Sequence, residues 1–173
     1  HTPARTAEWH KAAEAIREYT RAPVVLLASG EASMLLDAAL EADVAGVLLL
    51  PQLPENVVIH PTGRWLYVSN WAGAGLGLVP GFDIAADGAL SAIAGSPWSH
   101  AGYDTSFVEV EPLGRWLYAA SSDDFIYGFE ISQTTGALTA LPSAPWDTKA
   151  SGPWVVMIDA ASRYGYVAPD ISG

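Results

Sequence analysis

The sequence contains no cysteine among its 173 residues. This absence excludes disulfide bonds, catalytic thiolates, and zinc or iron–sulfur sites that need cysteine ligands. Basic residues are also scarce, because 8 lysines and arginines stand against 19 aspartates and glutamates, for a formal net charge of −11. Such a surface repels nucleic-acid phosphates, so nucleic acid is not an expected partner. No apolar run reaches the roughly 18 residues of a membrane span, and no membrane association is expected.

A phrase that occurs twice, and then a third time in weaker form, dominates the sequence. Residues 60–70 are His-Pro-Thr-Gly-Arg-Trp-Leu-Tyr-Val-Ser-Asn, and residues 111–121 are Glu-Pro-Leu-Gly-Arg-Trp-Leu-Tyr-Ala-Ala-Ser. The third copy, at residues 159–169, is Asp-Ala-Ala-Ser-Arg-Tyr-Gly-Tyr-Val-Ala-Pro. The spacing of about 50 residues is the period expected when each repeat folds into one small sheet of a stacked or radial β array.

Each full repeat is predicted to contain four short strands, rich in aromatic and β-branched residues and separated by Gly, Pro, Asp and Ser. The predicted strands are 57–60, 65–70, 78–84 and 89–93 in the first repeat, 107–110, 116–120, 126–131 and 137–141 in the second, and 155–158 and 164–168 in the third. The repeats are placed at about 56–104, 105–152 and 153–173. The third is therefore incomplete.

Residues 1–55 have a different pattern, typical of a small α/β segment. Apolar residues at helical spacing predict helices over residues 4–19 and 31–42. The continuous apolar runs 24–27 and 46–50 predict buried strands, which a helical crossover would place parallel to one another and in a right-handed arrangement. The predicted domain boundary follows residue 55.

The repeats over residues 56–173 resemble the lactonase-type seven-bladed β-propeller family, which includes 6-phosphogluconolactonase-like and carboxymuconate cyclase-like proteins. The resemblance lies in the phrase at 60–70, in Gly-Phe-Asp-Ile with Asp-Gly-Ala-Leu (81–90), and in Gly-Phe-Glu-Ile with Thr-Gly-Ala-Leu (128–138). It implies incomplete propeller blades made of four-stranded antiparallel sheets. It also implies hydrolysis of a lactone. The repeated residues are those that form strands and turns, so they specify the fold more than the activity.

Residues 1–55 resemble the later part of a response-regulator receiver domain. Ala-Pro-Val-Val-Leu-Leu-Ala-Ser (22–29) is similar to its fourth strand, and Gly-Val-Leu-Leu-Leu-Pro (46–51) to its fifth. Leu50 stands where that family has a lysine, and the segment has no counterpart of the phosphoacceptor strand, so a phosphorelay function is rejected. The predicted fold is mixed but mainly β, with a receiver-like segment before the blades. This combination suggests a chimeric, designed or fragmentary chain.

Two residues in the loop between the first and second repeats form the candidate catalytic pair. His100 and Asp104 lie in Ser-His-Ala-Gly-Tyr-Asp (99–104), and loops of this kind often carry ligand-contacting residues. An imidazole beside a carboxylate can move protons to and from a water that attacks a lactone. The alternative interpretation is an ordinary solvated loop.

Further polar residues are candidate ligand contacts, each with a structural alternative. His60 precedes a proline at a strand end and is either a substrate contact or a turn residue. Glu109 and Glu111, both candidate substrate contacts, alternate along a strand and form either an acidic pair with raised pKa values or a solvated face. Asp123 and Asp124 either bind a divalent cation such as calcium or form a solvated hairpin tip. No other cofactor is expected.

Residues that recur at the same position of successive repeats are assigned to structure, because an active-site residue is expected in one blade alone. They are Arg64, Arg115 and Arg163, predicted to lock turns or form ion pairs, and Trp65, Trp98, Trp116 and Trp146, predicted to pack between sheets.

Two functions remain open at this point. One is hydrolysis of a small-molecule lactone or a related carbohydrate, and the other is a non-catalytic β-repeat scaffold or binding module. Incomplete sets of blades leave apolar faces uncovered, so a homo-oligomer is expected, and association could complete a pocket.

Overall fold

The computed structural model describes residues 25–29, 46–50, 53–71, 76–149 and 152–169. The regular elements within these ranges are β-strands, and the predicted mainly β architecture with antiparallel sheets is confirmed. No helix in the described part of the chain is long and apolar enough to cross a membrane. The chain divides into two compact units, residues 1–53 with 84–90 and residues 54–83 with 91–173.

In the first unit, β1 (Val25–Ser29) pairs with β2 (Gly46–Leu50). The two strands run parallel, with Val25 opposite Gly46 and Ser29 opposite Leu50. The predicted parallel pairing of these two apolar runs is confirmed. The helices predicted over residues 4–19 and 31–42 lie outside the described residues.

The first repeat forms a sheet whose strand order is β7-β6-β4-β5-β8, with β3 also paired to β4. The strands are β3 (Leu53–Ile59), β4 (Trp65–Trp71), β5 (Leu78–Val79), β6 (Gly81–Ile84), β7 (Leu90–Ala92) and β8 (Trp98–Ser99). Pro80 divides the strand predicted over 78–84 into β5 and β6, because proline has no N–H to donate to the ladder. Its carbonyl still accepts from the N–H of Val68 at 2.9 Å, so the pairing keeps its register.

The second repeat forms the four-stranded order β12-β11-β10-β9, and a short β13 also pairs with β11. The strands are β9 (Thr105–Val110), β10 (Trp116–Ser121), β11 (Phe125–Ile131), β12 (Leu138–Ala140) and β13 (Trp146–Asp147). All of these pairings are antiparallel. The third repeat contributes the antiparallel hairpin of β14 (Pro153–Ile158) and β15 (Gly165–Pro169).

The turn of the repeated phrase has the same geometry in all three copies. The N–H of Gly63 donates to the carbonyl of His60, and that of Gly114 to the carbonyl of Glu111, both at 2.8 Å. Both glycines have φ of +73°, a conformation that other residues rarely adopt. In the third copy Ser162 takes this position, with φ of +54°.

Apolar side chains from the first and second sheets form the main core. We call this contact the first joint. Trp65 and Tyr67 of β4 face Val108 and Val110 of β9 across it. The phenol of Tyr67 donates to the carbonyl of Gly136 at 2.6 Å, and a Cβ atom on Gly136 would lie 2.7 Å from the Trp65 ring. Glycine is therefore required where the indole meets this turn.

A smaller apolar cluster joins the second sheet to the third-repeat hairpin, and we call it the second joint. Ala120 and Ile126 are buried there against Val156, with Tyr118 and Ile158 packed alongside. Successive repeats thus stack through apolar faces, as the repeat pattern predicted.

The recurring arginines stack on the aromatic residue that follows each of them. The Cζ atoms of Arg64 and Arg115 lie 4.6 Å and 4.2 Å from the ring centroids of Trp65 and Trp116. The Arg115 Nε atom also forms an ion pair with Glu111 at 2.9 Å. The predicted ion pairing is confirmed for Arg115 and for Arg163, whose Nε atom lies 3.5 Å from Asp159 Oδ2.

Candidate functional site

The candidate residues are distributed between two ends of the second sheet. β9 begins at Thr105, β10 ends at Ser121 and β11 begins at Phe125, so loops 100–104 and 122–124 share one end, which we call the loop end. The turn between β9 and β10 lies at the other end, which we call the turn end. A six-residue strand separates the two ends by about 20 Å.

Backbone hydrogen bonds fix the loop that carries the predicted catalytic pair. The N–H of His100 donates to the carbonyl of Gly77 at 3.0 Å, and the N–H of Gly77 donates to the carbonyl of Gly102 at 2.9 Å. On the other side, the N–H of Ser122 donates to the carbonyl of Asp104 at 3.3 Å. The loop is therefore tied to both the first sheet and the β10–β11 hairpin.

The His100 side chain is only 6% exposed, and both of its ring nitrogens are hydrogen bonded. The N–H of Gly102 donates to Nδ1 at 3.2 Å, so Nδ1 must be unprotonated. The Nε2–H group then donates to Thr105 Oγ1 at 2.8 Å, and the Thr105 hydroxyl donates to the carbonyl of Leu78 at 3.1 Å. This sequence of donors and acceptors requires a neutral imidazole with its proton on Nε2.

The surroundings of His100 also favour the neutral form. Burial lowers the pKa of His100 to about 4, although the negative charge of Asp123 acts in the opposite direction. The imidazole stacks on the Tyr127 ring, with centroids 4.1 Å apart. At neutral pH, His100 is an uncharged side chain whose two nitrogens are already occupied.

Asp123 lies in the same cluster as His100. The Tyr127 hydroxyl donates to Asp123 Oδ2 at 2.9 Å. Asp123 Oδ1 and Ser121 Oγ are buried without a hydrogen-bond partner. A Cβ atom on Gly102 would lie 2.6 Å from Asp123 Oδ2 and 2.7 Å from Ser121 Oγ, so these groups approach closely only because residue 102 is glycine. The structure thus brings together residues that the sequence placed in separate candidate sites.

Asp104 is buried at the loop end, close enough to Glu55 of β3 to act on it electrostatically. Partial burial raises the pKa of Glu55, and the negative charge of Asp104 raises it further. The Glu55 and Asp104 carboxylates therefore influence one another electrostatically.

Asp124 shapes the hairpin between β10 and β11. It has φ of +72°, and its Oδ1 atom accepts from the N–H of Gly152 at 2.6 Å. Its carbonyl accepts from the Thr148 hydroxyl at 2.8 Å. Within the described ranges there is no group of three or more His, Asp or Glu side chains that could hold a metal ion. Cation binding by Asp123 and Asp124 stays a prediction.

His60 lies at the turn end, where it links the first and second sheets. Its Nε2–H group donates to the carbonyl of Gly114 at 2.8 Å, and its Nδ1 atom accepts from the N–H of Thr62 at 3.2 Å. A Cβ atom on Gly114 would collide with the imidazole. These contacts match the turn-residue interpretation of His60.

Glu111 occupies the position of His60 in the next repeat and is 1% exposed. Burial alone would raise its pKa, but hydrogen bonds from the Arg115 side chain and from the N–H groups of Arg115 and Leu113 outweigh it and lower the pKa to about 2. Burial raises the pKa of Glu109, and no hydrogen bond of this kind lowers it again. Of the two alternatives for this pair, the raised pKa applies to Glu109 alone, because the carboxylate of Glu111 accepts hydrogen bonds from the N–H groups and the arginine of its own turn.

We expect Glu111→Gln to lower the free energy of unfolding at pH 7 by about 2 kcal/mol, after allowance for the solvent exposure of Arg115. Because the folded-state pKa is lowered, this stability is present above the ordinary value of 4.5 and is lost as the pH falls towards 2. Urea unfolding at pH 7 and at pH 2.5 would measure it. Glu109→Gln is the matched control and should be neutral or stabilising at pH 7, and an equal loss in both variants would contradict the prediction.

The structure does not bring all the candidates together. His100, Asp104, Asp123 and Asp124 lie at the loop end, whereas His60 and Glu111 lie at the turn end. The assignments of His60 and Glu111 as substrate contacts stay predictions. Sequence reasoning missed Thr105 and Tyr127, the two side chains that contact the His100 ring. No local signal in the sequence indicated that Tyr127 of β11 would meet His100.

Comparison with known proteins gives matches among solved structures alone. No protein-family model matches the chain, and no curated protein matches it. The periplasmic gluconolactonase of Pseudomonas aeruginosa superposes with a TM-score of 0.59 and 25% identity, over 69% of this chain and 36% of that protein. The fold is lactonase-like.

A second neighbour supports the same fold. A 6-phosphogluconolactonase candidate from Bacteroides uniformis superposes with a TM-score of 0.58 and 19% identity, over 71% of this chain. The chain spans about a third of the length of both neighbours, 36% and 35%. The receiver-like resemblance of residues 1–55 receives no support from these comparisons and stays a prediction.

Proposed function

We propose that this chain supplies part of the substrate pocket of a lactone hydrolase, located at the loop end of its sheets. The observation that carries the proposal is the meeting of His100, Asp104 and Asp123 at one end of a lactonase-like fold. The likeness to a periplasmic gluconolactonase supports a sugar lactone as the substrate class. Because the chain spans about a third of that protein, further blades would complete the pocket, through association or from elsewhere.

The proposed reaction is attack of water on the lactone carbonyl carbon. The Asp104 carboxylate accepts a proton from the water as the new C–O bond forms. The bond between the carbonyl carbon and the ring oxygen then breaks, and the ring oxygen takes the proton back from Asp104 to become a hydroxyl group, which regenerates the Asp104 carboxylate. A carboxylate acting as general base contributes roughly 100-fold or more to such a reaction.

His100 has a positioning role in this proposal. Its two ring nitrogens are bonded to Gly102 and Thr105, so it holds the loop that carries Asp104 and does not itself take a proton. Asp123 keeps the Tyr127 hydroxyl in place against this loop. The predicted catalytic pair is therefore retained with different roles for its two members.

The proposal is tested by the hydrolysis of glucono-1,5-lactone in a pH-stat, with the spontaneous rate subtracted. We expect Asp104→Asn to lower kcat by about 100-fold with little change in KM. Asp147→Asn is the matched control, because Asp147 is exposed on β13, and it should retain wild-type turnover. Circular dichroism of both variants would show that the fold is intact. Full activity of Asp104→Asn would overturn the assignment, and absence of wild-type turnover would exclude hydrolysis by this chain alone.

The second function, a non-catalytic binding module, is favoured by one observation. Both nitrogens of His100 are used in structural hydrogen bonds, so this imidazole has no free lone pair with which to accept a proton. Calorimetry with the same lactone separates the two functions. Binding that is lost in Asp104→Asn, without turnover by the wild type, would support the binding module.

A further inference from the structure

The strand before each repeated turn presents two apolar residues at equivalent positions. Counting back from the first residue of the turn, Val57 and Ile59 correspond to Val108 and Val110 in the second repeat. The third repeat has Val156 and Ile158 at these positions. In the second and third repeats this pair packs against the repeat before it, at the first and second joints.

The burial of this face differs sharply between repeats. Val108 is 0% exposed and Val156 is 3% exposed, because a preceding sheet covers each of them. At the same positions in the first repeat, Val57 is 46% exposed and Ile59 is 57% exposed. The β3 face therefore has the apolar chemistry of one half of a joint, and among the described residues no sheet lies against it.

The hairpin of the third repeat shows the opposite half of a joint. Trp65 and Tyr67 of β4 are 1% and 0% exposed, because the second sheet covers them. The residues at their positions in the third repeat are Tyr164 and Tyr166, which are 59% and 63% exposed. Met157 on the adjacent strand is also 59% exposed, so the hairpin presents a continuous apolar face.

We infer that the β14–β15 face of one copy, formed by Met157, Tyr164 and Tyr166, docks on the β3 face of a second copy, formed by Val57 and Ile59. The contact between the two molecules would have the same arrangement as the first joint within one molecule. A second copy is the occupant because the two exposed faces are the two complementary halves of a joint that this chain already builds internally. This inference does not depend on lactone hydrolysis.

The two faces differ, so the contact is head-to-tail and not two-fold symmetric. Such an interface leaves one face free at each end, and it therefore produces rings if the rotation closes and open chains if it does not. The net charge of −11 opposes association of two copies. Screening by salt should therefore strengthen the contact.

The first experiment measures self-association by sedimentation velocity from about 1 to about 100 µM, where interfaces of modest affinity are detected. The wild type should show a weight-average mass that rises with concentration above 18.2 kDa. Ile59→Lys and Tyr166→Lys should each raise the dissociation constant at least about tenfold. Both changes reduce the net negative charge, so the loss would not come from greater repulsion between copies. Leu113→Lys is the control, because Leu113 is also a large hydrophobic residue, 60% exposed, but lies in the turn of the second repeat and belongs to neither face.

The second experiment mixes the two blocked variants. Ile59→Lys keeps an intact β14–β15 face, and Tyr166→Lys keeps an intact β3 face. Each alone should be monomeric, whereas the mixture should form a 1:1 complex of twice the 18.2 kDa monomer mass that does not grow further. A two-fold symmetric contact would give no such complementation.

A wild-type chain that remains monomeric at about 100 µM overturns the inference. Association of either single variant with wild-type affinity, or failure of the two variants to complement one another, also overturns it. Both substituted residues are exposed within one copy, so thermal unfolding of the variants should match the wild type.

Discussion

Trp65→Ala is expected to lower the free energy of unfolding by about 3–5 kcal/mol, the largest effect of any single substitution in this chain that we predict. The indole is 1% exposed at the centre of the first joint. It lies against Gly136 of the neighbouring sheet, and its Nε1–H group donates to Asp83 Oδ1 at 3.0 Å. Alanine would leave a cavity between two sheets and a carboxylate without its donor. Urea unfolding followed by far-UV circular dichroism measures the change.

The repeat provides a matched control for this prediction. Trp116 has the equivalent position in the second repeat, and the equivalent arginine, Arg115, stacks on it. Trp116 is, however, only partly buried. Trp116→Ala should therefore cost about 1 kcal/mol. Equal losses in the two variants would show that the indole stabilises each blade by itself and not the joint between blades.

The second large effect is a loss of stability on acidification that depends on His100. Because burial lowers the folded-state pKa of His100 from 6.5 to about 4, the unfolded chain binds a proton more readily in this range. The contribution of the neutral imidazole is fully present above pH 6.5 and is lost as the pH falls towards 4. The loss amounts to about 3 kcal/mol.

His100→Gln isolates this contribution, because glutamine offers an N–H donor and a carbonyl acceptor but does not titrate. The difference in unfolding free energy between wild type and variant should shrink by about 3 kcal/mol between pH 7 and pH 4. Using the difference cancels the other titrating groups. A direct readout is the NMR titration of the His100 ring, and a midpoint near 6.5 would contradict the burial that the structure shows.

Local features of the sequence were sufficient to predict most of the strands. The aromatic segments that begin at Trp65 and Trp116 became β4 and β10, with boundaries shifted by a single residue. The tight turns fell at Gly63 and Gly114, where positive φ is required. The two-residue strands β8 and β13 were not predicted, because so few residues carry no periodic pattern.

The candidate site was predictable in part. The sequence singled out His100 and Asp123 individually, since both lie in loops next to strand ends. Their convergence through Tyr127 depends on the antiparallel pairing that brings the start of β9 and the β10–β11 hairpin to one end of the sheet. The opposite pKa shifts of Glu109 and Glu111 were not predictable either, because they depend on which N–H groups reach each carboxylate.

The sequence by itself determined the repeats and the positions of most strands and turns, because these depend on residue type and on local pattern. The tertiary structure alone decided which apolar sides are covered. Val57 and Val108 occupy the same place in the same pattern, yet Val57 is 46% exposed and Val108 is 0% exposed. Burial depends on a neighbouring sheet, and the distance between sheets is not a property of any local stretch of sequence.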